Sequence, residues 1–169
     1  LRKLAIWYLD KEDYDKSLEL LVKSSEINRN GKGLREHKYN LACDYFDIGL
    51  VFTNKEDYAS AKEFYNKSRK LFESLKLDNE LSDYWFNLGE ISLFDKEYNT
   101  AISYYKRGLV IDQKQGNLFN LASDYNMMGE FFIETGDIKE AEKYFEKALD
   151  ICRRIKSPMD LASVYYNLG

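Results

Sequence analysis

The chain has 169 residues, of which 44% are hydrophobic and 15% aromatic, a composition that supports a packed core and excludes a disordered chain. A formal net charge of -4 and the absence of any bilayer-length apolar stretch predict that neither nucleic acid nor a membrane is a partner. The single proline, Pro158, and the lack of alternating β-branched residues favour an all-α fold.

The first predicted element is a helical hairpin. Its segment 10–27, DKEDYDKSLELLVKSSEI, aligns with NKEDYASAKEFYNKSRKL at 54–71. The offset is 44 residues, and the connector NRNGKGLREH holds the four extra residues. The acidic start of the segment lacks the glycine and the closing glutamate of a calcium loop, so a solvated turn is the better interpretation.

Four copies of one pattern then recur every 40 residues. LACDYFDIG begins at residue 41, LSDYWFNLG at 81, LASDYNMMG at 121 and LASVYYNLG at 161. A glycine, an alanine and an aromatic residue keep their register: Gly49, Gly89, Gly129 and Gly169; Ala61, Ala101 and Ala141; Tyr65, Tyr105 and Phe145. Such a period indicates stacked repeats, because no single repeat can bury its own apolar face.

Each repeat is predicted to be an antiparallel helix pair joined by a polar turn. The first helices are expected at about 39–53, 79–93 and 119–134, and Asp57 or Asp137 can cap the second helix. A glycine inside a helix costs about 1 kcal/mol relative to alanine. We predict that the repeated glycines are kept because a bulky ring of the paired helix contacts them.

These features predict a single array over residues 1–169. Its repeats are about 1–36, 37–77, 78–117 and 118–157, followed by the start of a fifth at 158–169. Both chain ends fall inside a first helix, without the polar cap that terminal repeats usually carry. End-to-end self-association through these ends is therefore expected.

The pattern resembles the tetratricopeptide repeat family. The preferred residues of that family fall on Trp85, Leu88, Gly89, Ala101, Tyr105 and Gly108, and then on Tyr125, Met128, Gly129, Phe132, Ala141, Phe145 and Ala148. The usual unit is about 34 residues, and the 40-residue unit is similar to a subgroup with Pins-type adaptors, kinesin light chains and bacterial peptide-sensing regulators. The resemblance implies a right-handed superhelical solenoid that binds proteins or peptides and is not an enzyme.

The family geometry places a set of polar and apolar residues in a concave groove: Phe46, Asp47, Leu50, Asp83, Phe86, Asn87, Glu90, Phe94, Asn126, Glu130, Ile133 and Glu134. The stretches 39–54, 81–94 and 119–134 contain no lysine or arginine, so an acidic lining is predicted. Four apolar residues of this set are interpreted as lying outside the core, which indicates a binding surface: Phe46, Leu50, Phe86 and Phe94.

The predicted partner is a protein or peptide segment that is basic or amphipathic. The acids could instead merely keep the concave surface soluble, and Lys38 or Lys96 could neutralise it. Members that clamp a terminal carboxylate are disfavoured as models, since Glu90 and Glu130 would repel it. Asn87 precedes Leu-Gly, where an asparagine of long-repeat relatives grips an extended peptide backbone, whereas Asp47 departs from that pattern.

No motif for catalysis, a metal or a cofactor is found, and the lone His37 is interpreted as a polar connector residue. Cys43 and Cys152 are far apart in the sequence, which favours reduced thiols and a cytoplasmic protein. The alternative function is a peptide-sensing regulatory array within a larger signalling or transcription regulator. A helix-turn-helix or kinase domain in flanking sequence would favour that alternative.

Overall fold

The computed structural model describes residues 1–31 and 33–156. Eight α-helices and one short 3-10 helix cover about 86% of these residues, and no strand occurs among them. The elements are α1 (Arg2–Asp10), α2 (Tyr14–Asn30), α3 (Arg35–Asn54), α4 (Tyr58–Ser74), the 3-10 helix (Asp78–Leu81), α5 (Ser82–Phe94), α6 (Tyr98–Gln115), α7 (Leu118–Glu134) and α8 (Ile138–Ile155). The predicted all-α fold of consecutive helix pairs is confirmed.

The predicted boundaries need two corrections. Helix α3 begins at Arg35 rather than near residue 39, and a 3-10 turn occupies the predicted start of α5. The chain divides into two compact units, Leu1–Tyr84 and Trp85–Gly169, so the single array stays a prediction. The start of the fifth repeat at 158–169 lies outside the described residues, and the end-to-end self-association expected from it stays a prediction.

The first unit packs α1 to α4 around a small apolar core of Ala5, Leu21, Ile48 and Val51. A buried carboxylate adds to it, because Asp44 on α3 accepts hydrogen bonds from Ser24 Oγ (3.0 Å) and Asn28 Nδ2 (2.7 Å) on α2. Burial raises the pKa of Asp44, and these two hydrogen bonds oppose that shift. Asp44 therefore links α2 to α3 and is not a surface acid.

The second unit has a larger core, formed by α5 to α8. Its most buried side chains include Ala101, Tyr105, Met128, Ala141 and Phe145. Four of these, Ala101, Tyr105, Ala141 and Phe145, are the small and aromatic positions of the sequence pattern, so the pattern located these core positions correctly. At the edge of this core, the Trp85 ring stacks on Tyr104 with centroids 5.5 Å apart.

The repeated glycines lie beneath aromatic rings of the paired helix. A methyl group added to any of these glycines would overlap a ring, in the pairs Gly49–Tyr65, Gly89–Tyr105 and Gly129–Phe145. The predicted reason for glycine inside the first helices is therefore confirmed. The close approach of the two helices offsets the propensity cost of glycine, because each ring gains a flat backbone surface to pack on.

The turn between the paired helices is built alike in each repeat. One position is always left-handed: Glu12 (φ 59°), Glu56 (φ 59°), Lys96 (φ 60°) and Gly136 (φ 83°). The following residue is the N-cap of the next helix, and the predicted caps are confirmed because Asp57 accepts from the Ser60 amide and Asp137 from the Glu140 amide, whereas the Glu97 side chain makes no capping hydrogen bond. The turn therefore places its left-handed residue at a fixed point beside the helix pair.

Candidate functional site

The predicted groove residues belong to both units. Phe46, Asp47, Leu50 and Asp83 belong to the first, and the rest belong to the second: Phe86, Asn87, Glu90, Phe94, Asn126, Glu130, Ile133 and Glu134. Two of the twelve, Asp47 and Phe86, are buried. A continuous groove across the repeats stays a prediction.

Asp47 is not a free groove acid. It is only 4% exposed, and the Arg2 guanidinium binds it through both oxygens, Nε–Oδ2 at 2.5 Å and Nη2–Oδ1 at 3.3 Å. Burial raises the pKa of Asp47, and the bonds from Arg2 oppose that shift. The prediction of an acidic lining did not count the charges of α1. Arg2 on that helix supplies a counter-charge in the first unit.

Phe86 is a core residue, which corrects its interpretation as an exposed anchor. It is 4% exposed and its ring lies against Tyr105, with centroids 5.6 Å apart. Phe46, one repeat earlier, is half-buried against Tyr65 at 5.4 Å. Phe94 has the opposite environment, because 63% of it is exposed.

Four of the predicted residues meet at a cavity of about 620 Å³ between α5, α6 and α7, which we name the α5–α7 pocket. Its lining consists of Glu90, Leu93, Phe94, Lys96, Tyr105, Met127, Glu130 and Glu134. Asn126 lies beside it and donates a hydrogen bond to Glu130 Oε1 at 2.7 Å. This volume is typical of ligand sites, which range over about 300–1,000 Å³.

The α5–α7 pocket is acidic. Three carboxylates and one ammonium group line it, which leaves a formal charge of about -2. Desolvation raises the pKa of Glu90, and the nearby Glu130 carboxylate raises it further. The pKa of Tyr105 is also raised, first by desolvation and then by Glu90 and Glu130. The lining therefore favours a cation over an anion.

Lys96 is one of the two lysines, with Lys38, that were expected from the sequence to be able to neutralise this lining. It holds the left-handed position of the α5–α6 turn and lines the pocket, so part of the acidic charge is compensated. The equivalent residues of the other turns are Glu12, Glu56 and Gly136. A lysine at this point of the turn is thus particular to the repeat that holds the pocket.

Tyr105 is a pocket residue that sequence analysis assigned only to the core. The equivalent Tyr65 shares a hydrogen bond of 3.0 Å with Thr53 Oγ1. Leu93 stands at the position equivalent to Thr53, so that bond has no counterpart in the second unit. The replacement of threonine by leucine four residues after the repeated glycine was the available sequence signal.

The remaining predicted residues do not line the α5–α7 pocket. Asp83 and Ile133 are exposed, and Asn87 is half-buried.

Within residues 1–31 and 33–156, no group of three or more histidine, cysteine or carboxylate residues is placed to hold a metal ion. None of the described helices combines the length and apolar character needed to cross a membrane. Cys43 and Cys152 are buried, and neither forms a disulfide bond within the part of the chain that the structure describes.

Two sequence profiles of the tetratricopeptide repeat match the chain, one over residues 80–154 and the other over residues 45–73. Together they span more than half of its length. The chain is a tetratricopeptide repeat protein. Membership of this family is consistent with the repeating glycine–ring pairs, whereas the long-repeat subgroup stays a prediction.

Similar proteins extend the family assignment. The tetratricopeptide repeat chain is 24% identical to human tetratricopeptide repeat protein 29 over 170 residues, which cover 99% of the chain and 35% of that protein. It is 28% identical to response regulator aspartate phosphatase I of Bacillus subtilis, over 80% of the chain and 34% of that protein. The chain thus spans about a third of either relative.

A solved structure agrees with the fold. Aspartyl phosphate phosphatase F from Bacillus subtilis superposes with a TM-score of 0.88 at 17% identity. The match covers 98% of the tetratricopeptide repeat chain and 43% of the other. At this identity the match establishes the arrangement of helices and leaves the activity open.

The pKa shift of Glu90 makes a prediction for this repeat protein. Its folded pKa lies above the ordinary value of 4.5, so ionisation opposes folding and stability falls as pH rises through the folded pKa. Glu90→Gln should therefore raise Tm slightly at pH 7, and the difference should vanish below about pH 4. Thermal melts at both values test this. A similar gain from Glu142→Gln, at an exposed position on α8, would contradict the pocket explanation.

Proposed function

We propose that the chain is a non-enzymatic scaffold that binds a basic or amphipathic segment of a partner protein in the α5–α7 pocket. The observation that carries this proposal is the meeting of three carboxylates with the exposed Phe94 and the half-buried Met127 in one cavity. A partner lysine or arginine would be attracted by Glu90, Glu130 and Glu134. An apolar side chain beside it would cover Phe94 and Met127.

A partner cation would remove an unfavourable interaction. Desolvation raises the pKa of Glu90, and repulsion by the Glu130 carboxylate raises it further, so a cation beside the pair would offset both effects. The acidic lining would hasten encounter with a basic segment. Exposed ion pairs contribute only about 0–1 kcal/mol each, so apolar contact with Phe94 would supply most of the affinity.

Secondary contacts are proposed for the other predicted residues that remain accessible. Ile133 is 46% exposed and could extend the apolar contact along α7. Asn87 and Asn126 carry amides able to bond an extended peptide backbone. Phe46, Leu50 and Asp83 are proposed as contacts of the first unit.

A labelled peptide rich in lysine and leucine provides the test. Glu90→Lys with Glu130→Lys should slow its association about tenfold at low salt, and less at high salt. Phe94→Ala should instead speed release and weaken Kd about tenfold. Stopped-flow fluorescence separates the two rates, and a peptide with glutamine in place of lysine measures the contribution of the peptide charge.

A matched control has the same charge change elsewhere. Glu142→Lys with Glu146→Lys alters exposed residues of α8 outside the pocket, so peptide association should change little. Equal slowing by both double variants would show that net charge, and not the pocket, attracts the peptide. An unaltered Kd in all variants would overturn the proposal.

A second candidate function is a peptide-sensing regulatory array. It is favoured by the similarity to the Bacillus protein named a response regulator aspartate phosphatase. Amide hydrogen exchange during peptide titration distinguishes the two candidates. A scaffold should gain protection only around α5, α6 and α7, whereas a regulatory array should also change in helices without peptide contact.

A further inference from the structure

A second cavity in the second unit shares no residue with the α5–α7 pocket. It has a volume of about 710 Å³, and we name it the α5–α6 groove. Its lining is apolar and basic: Trp85, Ile102, Ser103, Lys106, Arg107, Val110 and Ile111. No acidic residue is among them, so its charge is opposite to that of the α5–α7 pocket.

The neighbouring repeats show that this apolar character is not needed for packing. Val110 is 62% exposed, and the equivalent residues 40 positions before and after it are Lys70 and Asp150. Ile102 likewise corresponds to Lys62 and Glu142. Charged side chains are therefore compatible with the fold at both points, and α6 instead presents two apolar ones.

The equivalent cavity of the next repeat provides an internal control. It is lined by Tyr125, Lys143, Glu146, Lys147, Asp150, Ile151 and Arg154. There Glu146 and Asp150 stand in place of Lys106 and Val110, which leaves mixed charges and less apolar surface. The α5–α6 groove thus differs from its counterpart in both charge and hydrophobicity.

The basic groups of the groove are available to a ligand. Arg107 lies over the Trp85 ring, 4.8 Å from its centroid. Neither Lys106 nor Arg107 forms an ion pair with any residue in the described ranges 1–31 and 33–156. A guanidinium held on an aromatic face keeps its N–H donors directed to a carboxylate.

We propose that the α5–α6 groove binds an acidic amphipathic segment of a partner protein. An apolar side chain of that segment would lie among Trp85, Ile102 and Val110, while its carboxylates pair with Lys106 and Arg107. Tryptophan and arginine are the residue types that most often dominate binding energy at interfaces. The site is separate from the α5–α7 pocket and does not depend on the proposed function.

A labelled peptide rich in glutamate and leucine tests the groove. Fluorescence anisotropy with the whole chain should show saturable binding, and Val110→Asp and Lys106→Glu should each weaken Kd at least tenfold. Val110→Asp introduces the aspartate that the next repeat carries at the equivalent position, Asp150, so circular dichroism should show an unaltered fold. Lys143→Glu, in the equivalent cavity, should leave Kd unchanged.

Trp85 supplies a local readout. The chain has two tryptophans, so Trp7→Phe leaves the emission of Trp85 alone, and this emission should change as peptide is added. An unaltered Kd in Val110→Asp, or equal binding of a lysine-leucine peptide to the groove, would overturn the proposal. An emission change caused by protein concentration alone would also overturn it, because a second copy would then cover the groove.

Discussion

Replacing Phe86 by alanine is expected to lower the free energy of unfolding by about 3 to 5 kcal/mol. The ring is 4% exposed and packs on Tyr105 within the core of the second unit, so its removal leaves a cavity that the helices fill only in part. Urea denaturation measures the change. A loss below about 1 kcal/mol would show that Phe86 is not a core residue.

Phe94→Ala is the matched control, since it is the same substitution eight residues later. Phe94 is 63% exposed, so the free energy of unfolding should change by no more than about 0.5 kcal/mol. Its effect should instead appear in the binding of the basic peptide. The two variants together separate a packing role from a binding role for residues that sequence analysis grouped together.

Ala141→Glu should reduce stability by about 4 kcal/mol or more, enough to unfold much of the protein. Ala141 is completely buried on α8, within the apolar core of the second unit. A carboxylate placed there must either lose its hydration or force the helices apart. Ala101→Glu, at the same position one repeat earlier, should behave similarly.

Ala59→Glu serves as the control for this substitution, because Ala59 is exposed on α4. Its Tm should stay within a few degrees of the original protein. Circular dichroism melts of the three variants make the comparison. An unchanged Tm in Ala141→Glu would contradict the packing of α8 in the core of the second unit.

Sequence alone predicted the features that depend on period. Side chains that recur in register predict the helix pairs and the small residues at close contacts. They also predict the rings that lie over Gly49, Gly89 and Gly129. Repetition makes the assignment of helices and core positions more reliable, because each repeat tests the same assignment again. Boundaries were less accurate where the connector is atypical, as before α3 and α5.

The candidate site was predicted only in part, because burial depends on contacts that the period does not specify. Phe46 and Phe86 hold equivalent positions, yet one is half-buried and the other enclosed. Asp47 was predicted as a surface acid, and Arg2 on a helix left out of the charge count pairs with it. Residues at equivalent positions of the repeats therefore differ in burial and in ion pairing, and the repeating pattern alone does not show these differences.

Glu90, Phe94, Glu130 and Glu134 line one cavity, and they come from α5 and α7, the first helices of two successive pairs. Lys96 was foreseen as a competing charge. The role of Tyr105 was missed because its position is a core position in every repeat. Departures between equivalent residues, such as Thr53 and Leu93, carried the information that the shared pattern did not.

The glycine–ring pairs also bear on the motions of the protein. The rings of Tyr65, Tyr105 and Phe145 lie so close to the glycine backbone that an added methyl group would overlap them, so we expect each ring to flip mainly when its two helices move apart. The flip rate of each ring, measured by NMR line shapes, therefore reports how often that one helix pair opens. The three rings would give separate opening rates, without a mutation, for the helix pairs α3–α4, α5–α6 and α7–α8.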